Sequence, residues 1–144
     1  MREIEQMKKD EMLTLLRKTS YGHLACARGT EPYIIPLGFA YRDPFIYFFT
    51  TEGMKSDFLA ANPRVCFQVE QVRNHANWKS VIVIGMAEHV SAPQGVREIV
   101  KIVMDRNPGM IPAIAKTWKE DWGFKPVGAA FRIRITKMSG RKMG

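Results

Sequence analysis

Cysteine and histidine are scarce. Cys26 and Cys66 stand forty positions apart, and His23, His75 and His89 do not join them at metal-ligand spacing. No C-x-x-C pair exists, so neither a zinc site nor a disulfide framework organises this chain, and both thiols read as reduced core residues. No apolar stretch approaches the ~18 residues of a membrane-spanning helix. Met1 to Glu11 is dense in both charges and has no apolar export segment, so a cytoplasmic protein without membrane contact is expected. Rossmann and P-loop glycine patterns are missing. Ser20, Ser56, Ser80, Ser91 and Ser139 sit in no nucleophile elbow, neither cysteine has a neighbouring base, and the acids are scattered singly. No catalytic side chain is identifiable, so redox or transfer chemistry would fall to a cofactor.

What is present fits one ordinary globular domain spanning residues 1–144, with 46% hydrophobic and 25% charged residues. Twenty-two basic residues against fourteen acids give a net charge of +8. The excess is uneven: after Asp121 come Lys125, Arg132, Arg134, Lys137, Arg141 and Lys142, and no acid. Such an end attracts phosphate or other anions, but it equally describes a solvated strand face followed by a ragged tail.

Periodicity divides the chain into short elements. Met7 to Lys18 carries a helical apolar stripe, with Asp10 as a candidate cap. Strands are expected at Gly22 to Arg28, Tyr33 to Tyr41 and Phe45 to Thr51, the last two joined as a hairpin through Arg42-Asp43-Pro44. Glu52 to Asn62 reads as a helix ended by Pro63. Two more strands follow, Arg64 to Glu70 and Trp78 to Val90, with Gly85 marking a bend or bulge in the second. Ser91 and Pro93 open another amphipathic helix, broken at Asn107-Pro108-Gly109. A short helix is a candidate around Pro112 to Trp118, and Val127 to Lys137 is a final strand. Six strands linked largely by hairpins point to an antiparallel barrel. Phe45 to Phe49 and Val81 to Ile84 are apolar on both faces, so helices or a second copy of the chain must cover their outer sides. Dimerisation through Val81 to Ile84 is the expected solution.

Two places could hold a ligand. In Thr50-Thr51-Glu52-Gly53-Met54-Lys55 an apolar strand ends in two hydroxyls, a helix begins, and a lysine lies in its first turn. Helix-start amides, hydroxyls and an ammonium group would converge there on one phosphate. The same residues also make a plain threonine cap beside a surface lysine. Pro36 cannot donate to a sheet ladder, and Gly38 permits close approach, so a flat ligand could lie against Pro36-Leu37-Gly38-Phe39. A simple edge strand satisfies the same pattern.

Taken in order, several segments resemble the pyridoxamine 5'-phosphate oxidase-like, FMN-binding split-barrel family, especially its nitroimidazole-resistance-like branch. They are Gly22-His23-Leu24-Ala25, Pro32 to Phe39, Ile46-Tyr47-Phe48, Gly53-Met54-Lys55, Asn62 to Phe67, Trp78 to Glu88 and Phe131-Arg132-Ile133. The resemblance implies a mainly β fold with α-helices: a six-stranded antiparallel split β-barrel of Greek-key order, working as a homodimer with FMN in clefts between subunits. It implies that the main chain of Pro36, Leu37, Gly38 and Phe39 faces the flavin ring. Thr50, Thr51 and Lys55 would hold the 5'-phosphate, and Trp78, Lys79 and Ser80, in the partner subunit, the ring or ribityl chain.

True pyridoxamine phosphate oxidases have an arginine where this chain has Met54, and end in an Arg-x-His segment that it lacks. Reduction of a nitroaromatic or other small electron acceptor is therefore the expected activity. A haem-, flavin- or deazaflavin-binding protein without turnover is the alternative, a histidine serving as iron ligand in the haem case. Nucleic-acid binding through Arg132 and Arg134 is disfavoured, because the aromatic residues sit mostly in strands apolar on both faces.

Overall fold

Alternating hydrophobicity dominates the chain, and a computed structural model, describing residues 3–50, 54–107 and 129–144, folds it into one antiparallel sheet. The elements are β1 (Glu5–Gln6), α1 (Lys9–Lys18), β2 (Tyr21–Arg28), β3 (Glu31–Gly38), β4 (Ala40–Arg42), β5 (Phe45–Thr50), α2 (Met54–Ala61), β6 (Arg64–Asn74), β7 (Asn77–Val90), α3 (Pro93–Arg106) and β8 (Ala129–Met143). The strands run in the order β3-β2-β6-β7-β8-β5-β4, and β1 pairs with β8. Among the described residues eight strands replace the six expected. The six long ones are those read from the sequence, and the extra two are the short β1 and β4.

The sheet curls without closing, as a split barrel does. Its two ends, β3 and β4, are consecutive in the chain and separated by Phe39 alone. The strand expected over Tyr33 to Tyr41 is therefore divided. At Phe39 the backbone leaves one edge for the other. Its N–H donates to the Ser20 carbonyl at 2.9 Å, and its ring is fully buried, edge-on to Phe67 at 4.9 Å between centroids. The hairpin at Arg42-Asp43-Pro44 forms as expected, joining β4 to β5.

Inward residues of β2, β5, β6, β7 and β8 fill the interior, among them Leu24, Phe48, Phe67, Val83 and Ile133. Helix α1 closes one end with Met12, Leu15 and Leu16. Its N-cap is Lys8 rather than Asp10, and the Lys8 N–H donates to Glu11 Oε1 at 3.2 Å. Likewise Ala92, not Ser91, caps α3, because Pro93 takes the first helical position with its preset φ. At Gly85 the ladder with β8 slips by one residue, the bulge anticipated there. The candidate helix around Pro112 to Trp118 lies outside the described residues.

The two strands apolar on both faces are treated differently. Outward Tyr47 and Phe49 of β5 are covered by α3 through Ile99, Val103, Val96 and Ile102. No described element covers the outer face of β7, where Ile82 and Met86 are each 39% exposed. Cys66 lies on this outer side, half-buried, whereas Cys26 faces the core, so only one thiol is the core residue expected. Burial pushes both thiols above their ordinary pKa, which keeps them protonated.

Candidate functional site

Thr50 ends β5, where the ladder with β8 reaches its last pair, Thr50 with Ala129. The strand's alternation turns its side chain inward, and it is 3% exposed. Among the described residues its Oγ1 has no hydrogen-bond partner. A buried hydroxyl left unbonded costs about 1–3 kcal/mol, so such an atom calls for a ligand atom or water. It stands at the approach to α2, whose first turn contains Lys55. Thr51 and the side chain of Lys55 lie outside the described residues.

Pro36, Leu37 and Gly38 lie on β3, an end strand of the sheet. Alternate main-chain groups on its far side have no ladder partner, which is what a ligand read by backbone would use. Leu37 turns toward the core, whereas Pro36 and Ile34 turn out, Ile34 being 63% exposed. Phe39 is fully buried, so only its main chain could serve a ligand.

Trp78 and Ser80 open β7, three strands away from β3 along the sheet. Adjacent strands are ~4.8 Å apart, so roughly 14 Å separates them from β3 within one chain. Ser80 is on the outer face, where its Oγ accepts from Gln68 Nε2 at 3.0 Å. Lys79 points the other way, lining a depression with Asp10, Glu11 and Lys18 of α1. The expected residues thus lie on separate elements: Thr50 ends β5 before α2, and Pro36 to Phe39 lie on the β3 edge and its passage to β4. Trp78 and Ser80 share the outer face with an apolar surface.

That surface follows from register. Ile34, Ala25, Cys66 and Ile84 stand opposite one another across β3, β2, β6 and β7, and Pro36, His23, Gln68 and Ile82 form the next row. His23 stacks edge-on against Tyr21 at 5.6 Å. His75 is exposed beside the β6–β7 turn, and His89 lies against the Phe131 ring at 5.2 Å. Among the described residues no group of three His, Cys, Asp or Glu side chains could hold a metal. No helix there is long and apolar enough to cross a membrane.

One arrangement was not foreseen. Glu88 on β7 accepts from Arg132 Nε at 2.6 Å and Arg134 Nε at 3.2 Å, and both guanidinium groups lie over the Phe45 ring. Partial burial pulls the Glu88 pKa up, but the two arginines outweigh it and hold the carboxyl below its ordinary value. The nucleic-acid candidates Arg132 and Arg134 therefore already have an anionic partner. Only the β7–β8 register, invisible in the sequence, brings the three together.

Residues 8–142 match the family described as pyridoxamine 5'-phosphate oxidase. A curated relative is an uncharacterized protein of Rhizobium meliloti (strain 1021), 29% identical over 96% of this chain and 94% of its own length. Among solved structures, an FAD-binding protein of Mesorhizobium loti is 30% identical, with a TM-score of 0.78 over 98% of this chain and 99% of that one. A candidate 5-nitroimidazole antibiotic resistance protein of Bacteroides thetaiotaomicron shares 17% identity and the fold, with a TM-score of 0.75 over 100% of this chain and 90% of that one.

Proposed function

Because this chain belongs to the pyridoxamine 5'-phosphate oxidase family, we propose that it binds a flavin and uses it to reduce a small electron acceptor. The observation that carries this reading is the buried Thr50 hydroxyl at the approach to α2, which has no hydrogen-bond partner among the described residues. It fits a 5'-phosphate, with Thr51 and Lys55 as the adjoining donors. The exposed edge at Pro36 to Phe39 would meet the ring through main-chain groups. Bound flavin supplies hydride transfer through N5, and the chain's part is to hold the phosphate, orient the ring and keep water from it.

A homodimer through the outer face completes this site. Ile34, Ile82 and Met86 form an exposed apolar surface of the kind a second copy would bury. Pairing there would bring one subunit's Trp78 and Ser80 toward the partner's β3 edge, which the ~14 Å separation prevents within one chain. A nitroaromatic is the acceptor we favour, since the shared fold with the Bacteroides protein adds to the sequence resemblance.

FMN is the flavin we propose, and the FAD-binding relative makes FAD the second reading. Both present the same ring, ribityl chain and 5'-phosphate. An absorption spectrum of the purified protein, with mass analysis of what heat releases, decides between them. Two visible flavin bands and released FMN are expected. Released FAD would replace FMN, a Soret band on haemin addition would favour the haem alternative, and a colourless protein that neither flavin reconstitutes would overturn the proposal.

A further inference from the structure

A cavity of about 500 Å³ among the described residues is lined by none of the residues proposed for the flavin. It arises from a gap in the sheet. Strand β8 pairs with β5 only as far as Arg134, and with β1 only at Arg141 and Lys142. Between them, no described strand flanks Ile135 to Gly140 on that side. The gap is bounded by two main-chain bonds, from Ile135 N–H to the Pro44 carbonyl at 3.1 Å and from Met7 N–H to the Gly140 carbonyl at 2.9 Å. Helix α1 lies across the opening and the β4–β5 turn forms its other wall. Phe45 to Thr50 spans β5, so the cavity lies about 17 Å from Thr50.

Its chemistry is asymmetric. Met12, Leu13, Ile135 and Met138 give it an apolar floor. Three cations, Lys9, Arg17 and Lys137, stand around it against one acid, Asp43. Asp43 is engaged, accepting from the Tyr41 hydroxyl at 3.2 Å, and burial together with that carboxylate raises the Tyr41 pKa, so the phenol stays protonated. Arg17 lies 5.7 Å from the centre of the Tyr41 ring. No acid pairs with Lys9, Arg17 or Lys137 among the described residues. An apolar pocket of this size with unpaired cations at its mouth suits a compact organic anion.

We propose that this cleft is a second ligand site, taking a small aromatic carboxylate whose ring lies on the Met12–Met138 floor and whose charge meets Arg17 and Lys137. The site is independent of the flavin reading, since it shares none of the flavin residues.

The test is a titration of the purified protein with 2-naphthoate and with uncharged 2-naphthylmethanol, read from the methyl NMR signals of Met12 and Met138. Naphthoate should shift both signals and bind about tenfold more tightly than the alcohol. Lys9→Gln/Lys137→Gln should remove most of that preference without changing the flavin content of the purified protein. Arg17→Gln should do the same, and the lysine pair covers the case in which loss of the Tyr41 contact loosens α1. Unmoved methyl signals, equal affinity for acid and alcohol, or unchanged naphthoate affinity in the lysine variant would each overturn the proposal.

Discussion

Replacing Thr50 by valine should affect the empty and the flavin-loaded protein in opposite directions. Valine keeps the shape of threonine and removes the hydroxyl, which is 3% exposed and unbonded among the described residues. Relief of an unsatisfied buried hydroxyl is worth about 1 kcal/mol at the low end of the range. For a domain of this length that raises the melting temperature of the flavin-free protein by about 3 °C. A hydrogen bond to a phosphate anion contributes about 1.5–3 kcal/mol, so flavin affinity should fall by about 10-fold to 150-fold. Thermal melts of the stripped protein and fluorescence titration with FMN read the two effects separately. A stripped variant that melts lower, together with unchanged flavin affinity, would refute the reasoning: the hydroxyl would then be satisfied within the chain and would hold no phosphate.

Other predictions concern the scaffold. A Cβ at Gly85 would lie 2.4 Å from the Arg134 carbonyl oxygen and 2.7 Å from Ile133 Cγ2, so Gly85→Ala should destabilise by about 1–3 kcal/mol, a melting-point drop of about 3–9 °C. Ile82→Asp places a charge on the apolar outer face, and sedimentation velocity should show the proposed dimer become a monomer. An unmodified protein already sedimenting as a monomer would refute the interface. The Glu88 carboxyl has a folded pKa below its usual 4.5, so its stabilising contribution is present above about pH 4.5 and is lost as pH falls through the lowered value. Thermal melts across that range should therefore show a shallower acid loss for Glu88→Gln than for the unmodified protein. Equal slopes would remove Glu88 from the account.

Sequence periodicity reached furthest where one face is buried. The alternation of Val65, Phe67 and Val69, or of Phe131, Ile133 and Ile135, is set by the core and marks its strands directly. It fell short where pairing alone makes the strand. Glu5 and Gln6 have no apolar side, yet they pair with Lys142 and Arg141. The basic segment from Lys137 to Met143 reads as a tail but runs beside Trp78 to Ile84 to the end of the ladder. The cap positions missed, Lys8 and Ala92, depend on where the chain enters each helix rather than on the side chain best suited to cap it. Within the candidate site, the threonine and the proline edge were legible as local chemistry. The opposite directions of Lys79 and Ser80 follow strand alternation, but which of the two faces α1 depended on the fold.

The position of β8 has a consequence for how this protein is made. It is the last described strand in the chain, yet it lies inside the sheet, between β7 and β5. Until a ribosome releases residues 129–143, β7 and β5 each present an unsatisfied edge, and the earlier strands remain two separate ribbons. Pairing of these two ribbons must therefore wait for residues 129–143, with long-range pairing as its closing step. Nascent chains stalled before Ala129 would expose aggregation-prone edges and should depend on chaperones more than their finished counterparts.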